Sequence, residues 1–363
     1  MLYRLYEWFW DERNWLPVGY TWRDFESTPT VTKPHPKDLY ITPVLAVGIF
    51  VFRYIFENYA ALRLCNLLGI KNVSKDVKLC SNVICETAFK NSSNPDQAKI
   101  RELSKMTGWT FQAVSRWFRR RRRMREKTPL LRKATEACWR CFVYLVLFVY
   151  GVYVLFRTEW IWDTQQFMIG YIRTHNLTTE IRWYYYIELA LYLQMCVTQM
   201  TDTKRKDFWQ QYIHHVVTIL LVSGSYTSGH FRFGAVIMFI HDASDFWLEG
   251  AKVCNYAKIE RLSEIFFVLF ALTFYATRWV YFPFWILQTF MKENARICGS
   301  QTSLYSFPYL MLYLCFVLCF LHIYWGVLVG RMVYKFTLAG KIEKDVRSDD
   351  EGGRNASDVG DTD

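Results

Sequence analysis

Residues 204–252 read KRKDFWQQYIHHVVTILLVSGSYTSGHFRFGAVIMFIHDASDFWLEGAK, and this stretch decides the fold. A basic turn leads into an apolar segment that carries two adjacent histidines, His214 and His215. A second apolar segment follows and contains four ionisable side chains: His241, Asp242, Asp245 and Glu249. Ionisable groups at membrane depth cost free energy and usually mark a functional site. We therefore predict two membrane helices that together hold such a site.

The remainder of the chain predicts further membrane spans. Of its 363 residues 52% are hydrophobic, and several apolar runs reach the roughly 20 residues that cross a hydrocarbon core. The sequence predicts an all-α polytopic membrane helix bundle of about seven spans with a small helical insert. The predicted spans are 39–61, 138–156, 181–199, 208–222, 231–251, 265–290 and 306–334. The fourth is short, which is typical of a span that is broken, tilted or buried among its neighbours.

Basic residues in the connectors predict the orientation. They cluster in four places: 119–123, 204–206, 252–261 and 331–347. Seven spans put all four clusters on one face, which the positive-inside rule identifies as cytoplasmic. The N-terminus then lies in the lumen and the C-terminus in the cytoplasm. Asn176, in the sequon Asn-Leu-Thr, is on the lumenal side and is a candidate for glycosylation.

The same patterns divide the chain into five parts. They are a lumenal N-terminal segment (1–38), the first span (39–61), a cytoplasmic insert (62–129), a transmembrane catalytic domain (130–340) and a disordered acidic cytoplasmic tail (341–363). The tail is polar and acidic, which predicts that it does not fold. Its serines with acidic neighbours, Ser348 and Ser357, are candidates for phosphorylation.

The insert contains a strongly basic helix. The sequence predicts helices over 95–106 and 110–123, and Trp117-Phe118 followed by arginines resembles the end of a homeodomain recognition helix. In that family the residue three positions after the tryptophan is an asparagine that contacts adenine. The corresponding residue here is Arg120. We therefore expect no DNA binding. A basic helix beside a membrane instead favours a role in topology and contact with anionic headgroups or an acidic ligand.

Three interpretations of the ionisable residues compete. They could join the spans through interhelical hydrogen bonds, bind a metal, or perform acid–base or nucleophilic chemistry. Asp242, Asp245 and Glu249 are spaced to share one helix face, and His241 can reach Asp245 one turn away. His214 and His215 point about 100° apart. Seven histidines are too few for a di-iron site, whereas a single metal with His and Asp ligands stays an open alternative. Our prediction is no metal ligands and no cofactor.

The motifs resemble a known family. Tyr184-Tyr185-Tyr186-Ile-Glu188, the basic turn, His214-His215-Val-Val-Thr218 and the segment from His241 to Lys252 are similar to the Lag1 motif of ceramide synthases. These enzymes belong to the TRAM–Lag1–CLN8 (TLC) domain family, and the resemblance covers about residues 130–340. The homeodomain-like insert before the domain is a second feature of the family.

This resemblance implies N-acylation of a sphingoid base by fatty acyl-CoA in the endoplasmic reticulum membrane. By the family's pattern the catalytic residues are His214, which takes the acyl group, His215, which supports it, and Asp242 and Asp245. Substrate binding falls to Tyr226, His241 and Glu249, and to Lys204, Arg205 and Lys206, whose charge suits the phosphates of CoA. The resemblance also implies that the lumenal loop 293–303 influences acyl chain length.

The expected partners are acyl-CoA, the sphingoid base and membrane lipids, with a homo- or hetero-dimer as a further possibility. The alternative interpretation is a non-catalytic TLC-domain protein that binds lipid or acts as a chaperone. The presence of both histidines and both aspartates favours the enzyme, because a binding protein does not need them together.

Overall fold

The structure is a computed structural model that describes residues 2–16, 20–70, 82–125, 128–171, 173–298 and 307–339. Within these ranges all regular elements are helical, which confirms the predicted all-α class. Ser348, Ser357 and the predicted tail lie outside the described residues, as does the part of the predicted lumenal loop after residue 298.

Four helical stretches are long and apolar enough to cross a membrane: Pro36–Leu67, Pro129–Leu155, Glu260–Glu293 and Phe307–Leu338. The chain is therefore a multi-pass membrane protein. They correspond to the first, second, sixth and seventh predicted spans. The helices at the other three predicted spans are also long, but polar and ionisable side chains lower their mean hydropathy. Seven spans remain a prediction.

Fourteen α-helices occupy the described ranges. In chain order α1 to α14 are Leu2–Phe9, Glu12–Trp15, Thr42–Asn58, Ala60–Leu67, Val83–Asn91, Gln97–Thr107, Phe111–Arg125, Pro129–Leu155, Thr179–Thr198, Phe208–Thr227, Phe231–Tyr256, Glu260–Phe274, Gln288–Cys298 and Phe307–Ala339.

Two departures from the predicted bounds affect the candidate site. Helix α8 begins nine residues before the predicted Cys138, because Thr128 caps it by accepting from the Leu131 N–H and Pro129 suits its first turn. Helix α10 is continuous over 20 residues and ends at Thr227, five residues beyond its predicted end. The fourth predicted span is thus a full, unbroken helix.

Helix α11 is the centre of the bundle. It packs along α8 and α12, while α9 packs on α3 and α10, and α14 packs on α10. Large aromatic side chains fill the space between the helices, and Tyr184, Tyr185, Tyr226 and Phe282 are completely buried. This packing surrounds the polar residues of α10 and α11 with other helices instead of lipid.

A wide π-helical segment, Tyr275–Leu287, joins α12 to α13 and contains Pro283. Long π-helical segments are rare and often accompany functional sites, because the wider turn shifts the direction of the side chains. Here the segment directs Arg278 and Phe282 into the bundle, where both are buried.

The insert holds one more helix than predicted. Helices α6 and α7 match the two predicted ones, with Gly108 in the left-handed conformation (φ 70°) between them. Helix α5 is additional, and Asn82 caps it by accepting from the N–H groups of Ile84 and Cys85. The three helices share a small core of Cys85, Phe89, Leu103, Val114, Trp117 and Phe118.

Candidate active site

A polar chamber of about 1170 Å³ lies between α8, α9, α10, α11 and α14. It brings together residues that are far apart in the chain. Its lining includes His214, His215, Asp245, Glu249, Arg205 and Asp207, together with Arg53, Arg140, Gln211, Arg278 and Trp325. Three of the four predicted catalytic residues and one member of the basic turn, Arg205, thus face one space.

His214 is buried in the wall of this chamber between two aromatic rings. The indole ring of Trp325 is 5.5 Å from the imidazole, edge to face, and the ring of Tyr192 is 6.1 Å away. Trp325 is itself held by its Nε1–H, which donates to Asp207 Oδ2 at 3.1 Å. The Nδ1 atom of His214 has no hydrogen-bond partner among the described residues. A ring held by packing with a free nitrogen is suited to nucleophilic attack.

His215 points away from His214, as the helical geometry predicted. The two imidazole rings are 5.7 Å apart and inclined by 71°. His215 Nε2 lies 3.4 Å from the side-chain nitrogen of Gln211, one turn earlier in α10, and its ring lies 5.7 Å from that of Tyr192. Both histidines therefore line the chamber, each with different neighbours.

Asp245 forms an ion pair that the sequence did not predict. The Nη2 group of Arg278, in the π-helical segment, donates to Asp245 Oδ1 at 2.6 Å and to the carbonyl oxygen of His241 at 3.0 Å. Ser244 Oγ donates to the same carboxylate oxygen at 3.1 Å. This arrangement holds Asp245 in a defined orientation toward the chamber.

Asp242 is fully buried and does not line the chamber. Its carboxyl group contacts that of Glu188 on α9, and both side chains are inaccessible to solvent. No donor from the described residues reaches Asp242 Oδ2 or either oxygen of Glu188. Two carboxylates in contact in an apolar setting repel each other when both are charged.

His241 is paired with a residue from the last helix, His322. Their Nε2 atoms are 2.9 Å apart, and His241 Nδ1 is 2.6 Å from the carbonyl oxygen of Ile237. A carbonyl only accepts, so Nδ1 of His241 carries its proton and Nε2 accepts from His322. The predicted contact of His241 with Asp245 is replaced by this pair, although Arg278 connects the two residues.

A second, apolar chamber of about 710 Å³ adjoins the polar one. Tyr192 and His241, whose rings lie about 6 Å from that of His214, form part of its wall. The remaining lining is almost entirely hydrophobic and includes Leu221, Val222, Phe233, Met238, Phe282, Phe290, Met311, Cys315 and Leu318. His214 lines the polar chamber, and the rings of Tyr192 and His241 lie between it and the apolar chamber.

The other predicted substrate-binding residues are dispersed. Lys204 and Lys206 are exposed outside the polar chamber, whereas Arg205 lines it. Glu249 also lines it but is paired with Lys252 Nζ at 2.7 Å. Tyr226 lies at the opposite end of α10 and donates to Asp38 Oδ2 at 2.9 Å. It lines neither chamber.

Fixed ion pairs surround the polar chamber where it meets the basic turn. Arg53 of α3 pairs with Glu57 and with Asp202, each at 2.6 Å. Arg140 of α8 lies within 3.6 Å of Asp202 and of Glu136, and 3.5 Å from Glu249. These pairs join the first membrane helix to the connector before α10.

Several residues of this site were not predicted, among them Arg278 and His322. A signal for both existed in the sequence, because each is an ionisable residue inside a long apolar run. Their runs lie outside the stretch 204–252 and were assigned only as spans. Their role depends on which helices become neighbours.

Comparison with known proteins identifies the family. The model of the TLC domain matches residues 133–331. This range includes His214 and His215, the pair His241 and His322, and the aspartates Asp242 and Asp245. The chain is 38% identical to human ceramide synthase 5 over 98% of its length and 89% of that protein. The chain belongs to the ceramide synthase family.

Other members of the ceramide synthase family match over nearly the same length. Human ceramide synthase 4 is 35% identical over 96% of the chain and 87% of that protein. Mouse ceramide synthase 3 is 36% identical over 95% of the chain and 88% of that protein. The similarity therefore extends beyond the TLC domain to the N-terminal segment and the insert, where the resemblance to a homeodomain was found.

Proposed function

We propose that this chain is a ceramide synthase that transfers a fatty acyl group from acyl-CoA to the amine of a sphingoid base. The observation that carries the proposal is the position of His214, which lines the polar chamber and lies next to Tyr192 and His241 in the wall of the apolar chamber. The polar chamber has Arg205 for the phosphates of CoA, and the apolar chamber has a hydrophobic lining that suits an acyl chain. The thioester of a bound acyl-CoA would then lie beside His214.

The reaction proceeds in two steps through an acyl-histidine. A ring nitrogen of His214 attacks the thioester carbonyl, the C–S bond breaks, and the proton of the other ring nitrogen leaves with the CoA thiolate. The sphingoid amine then attacks the acyl-imidazole, the bond to His214 breaks and the amide forms. The amine proton passes by way of a carboxylate, with Asp245 facing the chamber and the Glu188–Asp242 pair behind it, to the ring nitrogen of His214, which restores the neutral imidazole. No cofactor is needed.

The polar chamber also supports a more specific assignment for CoA binding. Arg205 is the member of the basic turn that lines the chamber, while Lys204 and Lys206 lie outside it. Guanidinium groups bind phosphate oxygens in bidentate fashion. We assign the pyrophosphate to Arg205 and the outer phosphate to the two lysines. We assign Tyr226 a structural role, because it lines neither chamber and its hydroxyl donates to Asp38.

The membrane arrangement follows from the lengths of the helices. Helices α9, α10 and α11 contain 20, 20 and 26 residues, which corresponds to about 30 to 39 Å and matches a hydrocarbon core of about 30 Å. With the four apolar spans they make seven. The insert, the basic turn and the C-terminus then lie in the cytoplasm, and residues 1–38 and Asn176 lie in the lumen of the endoplasmic reticulum. Dimerisation and phosphorylation of Ser348 and Ser357 stay expectations of this proposal.

The test uses purified protein in detergent with acyl-CoA and a sphingoid base. We expect His214→Ala and Asp245→Ala to lower N-acylation at least 100-fold, while His35→Ala, an exposed histidine in the N-terminal segment, leaves it unchanged. Mass spectrometry of the protein with acyl-CoA alone should find a fatty-acyl adduct on the peptide that contains His214. Undiminished N-acylation by both variants would overturn the catalytic roles of His214 and Asp245. Absence of N-acylation by the purified wild-type protein would favour the alternative, a non-catalytic lipid-binding TLC protein.

A further inference from the structure

The end of the apolar chamber farthest from His214 is closed by residues of α10 and α14. Gly224 follows His214 by ten residues on α10, so it lies about 15 Å farther along the helix. A Cβ added to Gly224 would lie 2.7 Å from Met311 Cε and 2.7 Å from Phe307 Cζ, both on α14. Met311 lines the chamber, and Gly224 and Phe307 support it from behind; we call these three residues the floor.

The N-terminal segment supports this floor from outside. Trp15 is 7% exposed, and its indole stacks on the ring of Phe307 with centroids 3.9 Å apart and planes inclined by 21°. Trp10 stacks on the other face of Trp15 at 5.3 Å and 15°. The indole of Trp15 is fixed further by its Nε1–H, which donates to the carbonyl oxygen of Phe9 at 2.5 Å. Phe307 therefore cannot move outward without displacing a rigid aromatic stack.

We propose that Trp15, through its stack on Phe307, limits the length of the acyl chain that the apolar chamber accepts. This inference rests on the proposed function, since it takes the apolar chamber as the acyl site. An extended chain advances about 1.25 Å per carbon, so about twelve carbons extend from the level of His214 to the floor. A longer chain has to bend or displace Met311 and Phe307, and Trp15 resists that displacement.

Substitutions on the two sides of the floor should act in opposite directions. Trp15→Ala removes the support, so Phe307 can move outward and chains about two to four carbons longer should fit, because loss of the indole frees roughly 3 to 5 Å. Gly224→Ala adds a methyl group that Phe307, held by Trp15, cannot avoid. Met311 must then move into the chamber, and shorter chains should be preferred. In the double variant the effect of Gly224→Ala should largely disappear.

The experiment measures N-acylation by the purified full chain with saturated acyl-CoAs of increasing length. We compare kcat/KM for an acyl chain four carbons longer than the wild-type optimum with kcat/KM for the optimum. For Trp15→Ala we expect this ratio to rise about tenfold, because one or two methylene groups provide discrimination of that size in an apolar pocket. Trp8→Ala is the matched control, because Trp8 is in the same segment but is 66% exposed. Phe307→Leu and Met311→Ala test the same floor from α14 if Trp15→Ala does not fold.

A second measurement does not depend on catalysis. The thermal stabilisation of each variant by the same acyl-CoAs reports which chain lengths bind, and it should shift as the activity does. One outcome is that acyl-CoA stabilises the wild type in a length-dependent way and Trp15→Ala shifts that dependence, but the wild type shows no N-acylation. The proposed function then fails and the role of Trp15 stands. If the length profiles of Trp15→Ala and Phe307→Leu equal that of the wild type in both measurements, the role of Trp15 is wrong.

Discussion

At the scale of single residues, the environment of Asp245 shows how this site can hold a charge inside a membrane bundle. A carboxylate in such a place requires a cation, and Arg278 supplies it from a different helical segment at 2.6 Å. The guanidinium also lies 5.0 Å from the ring centre of Phe274, whose face favours a cation. Removing one member of a buried ion pair leaves the other uncompensated, which is more costly than removing both.

Arg278→Gln is therefore expected to lower the free energy of unfolding by about 3 kcal/mol and to reduce activity at least tenfold. Adding Asp245→Asn should restore most of the stability, because a neutral pair replaces the isolated carboxylate, but should leave activity low. Unfolding by denaturant in detergent micelles and N-acylation rates measure the two effects. A double variant as unstable as Arg278→Gln alone would show that the ion pair is not the source of the loss.

Outside the membrane spans, His175 shows the effect of burial on a single imidazole. It is 2% exposed, and its Nε2 is 2.9 Å from the carbonyl oxygen of Ile169, so Nε2 carries the proton. Burial, and then the positive charge of Arg232, lowers the pKa of His175 from 6.5 to about 3. The neutral form is therefore favoured in the folded chain, and protonation of the unfolded chain removes stability as the pH falls below 6.5.

We expect His175→Gln to be less stable than wild type at pH 7.5 and to approach it at pH 4.5. Between these two pH values the contribution of His175 to the free energy of unfolding should fall by about 2 to 3 kcal/mol, at about 1.4 kcal/mol per pH unit below 6.5. Thermal unfolding of both proteins at the two pH values measures the difference, and acid effects common to both cancel. Parallel loss of stability in both proteins would mean that His175 is not held neutral by its burial.

At the scale of elements, the contact between the π-helical segment and α14 positions the His241–His322 pair relative to Arg278. Trp279 Nε1 donates to the carbonyl oxygen of His322 at 3.1 Å, and Tyr275 Oη donates to that of Gly326 at 2.8 Å. The approach is close because position 326 has no side chain. A Cβ there would lie 2.4 Å from the indole of Trp279.

Gly326→Ala should accordingly separate the π-helical segment from α14. We expect a loss of about 1 to 3 kcal/mol, typical of overpacking, together with reduced activity, because His322 and Arg278 move with the two elements. Gly48→Ala, inside α3, is the matched control. A Cβ at Gly48 meets nothing within 4 Å, so alanine should leave stability unchanged or raise it by about 0.5 to 1 kcal/mol. Equal melting temperatures for Gly326→Ala and wild type would contradict the close contact.

At the scale of the whole molecule, the orientation in the membrane can be tested with two native sequons. Asn176 is exposed, and its Oδ1 accepts from the Thr32 N–H at 2.9 Å, which leaves Nδ2 to carry a glycan. Asn91, in Asn-Ser-Ser at the end of α5, is exposed as well. The proposed seven spans place these two asparagines on opposite sides of the membrane.

Expression in a glycosylating membrane system should give one glycosylated form, which glycosidase treatment converts to the unmodified size. Asn176→Gln should abolish the glycan because it removes the only lumenal acceptor that the proposed topology provides, and Asn91→Gln should have no effect. Activity of Asn176→Gln should remain, since the residue is remote from both chambers. A glycan on Asn91 would invert the proposed orientation of the insert.

The sequence by itself determined the helical class, the positions of the apolar runs and the candidate histidines and aspartates. These depend on local composition and on helical spacing, which residues near in the chain decide: the divergence of His214 and His215 follows from their adjacency alone. The third helix of the insert was missed because its apolar residues form no run long enough to stand out. Its core exists only when α7 packs on it.

Only the tertiary structure decided which groups meet. Asp245 pairs with Arg278, Asp242 contacts Glu188, and His241 pairs with His322. The spacing along α11 had predicted contacts within that helix instead. Partners across a bundle are selected by how large side chains fill the space between helices, which no local pattern specifies. The stretch 204–252 thus contained most of the chemistry, while its neighbours determine the charge and direction of each group.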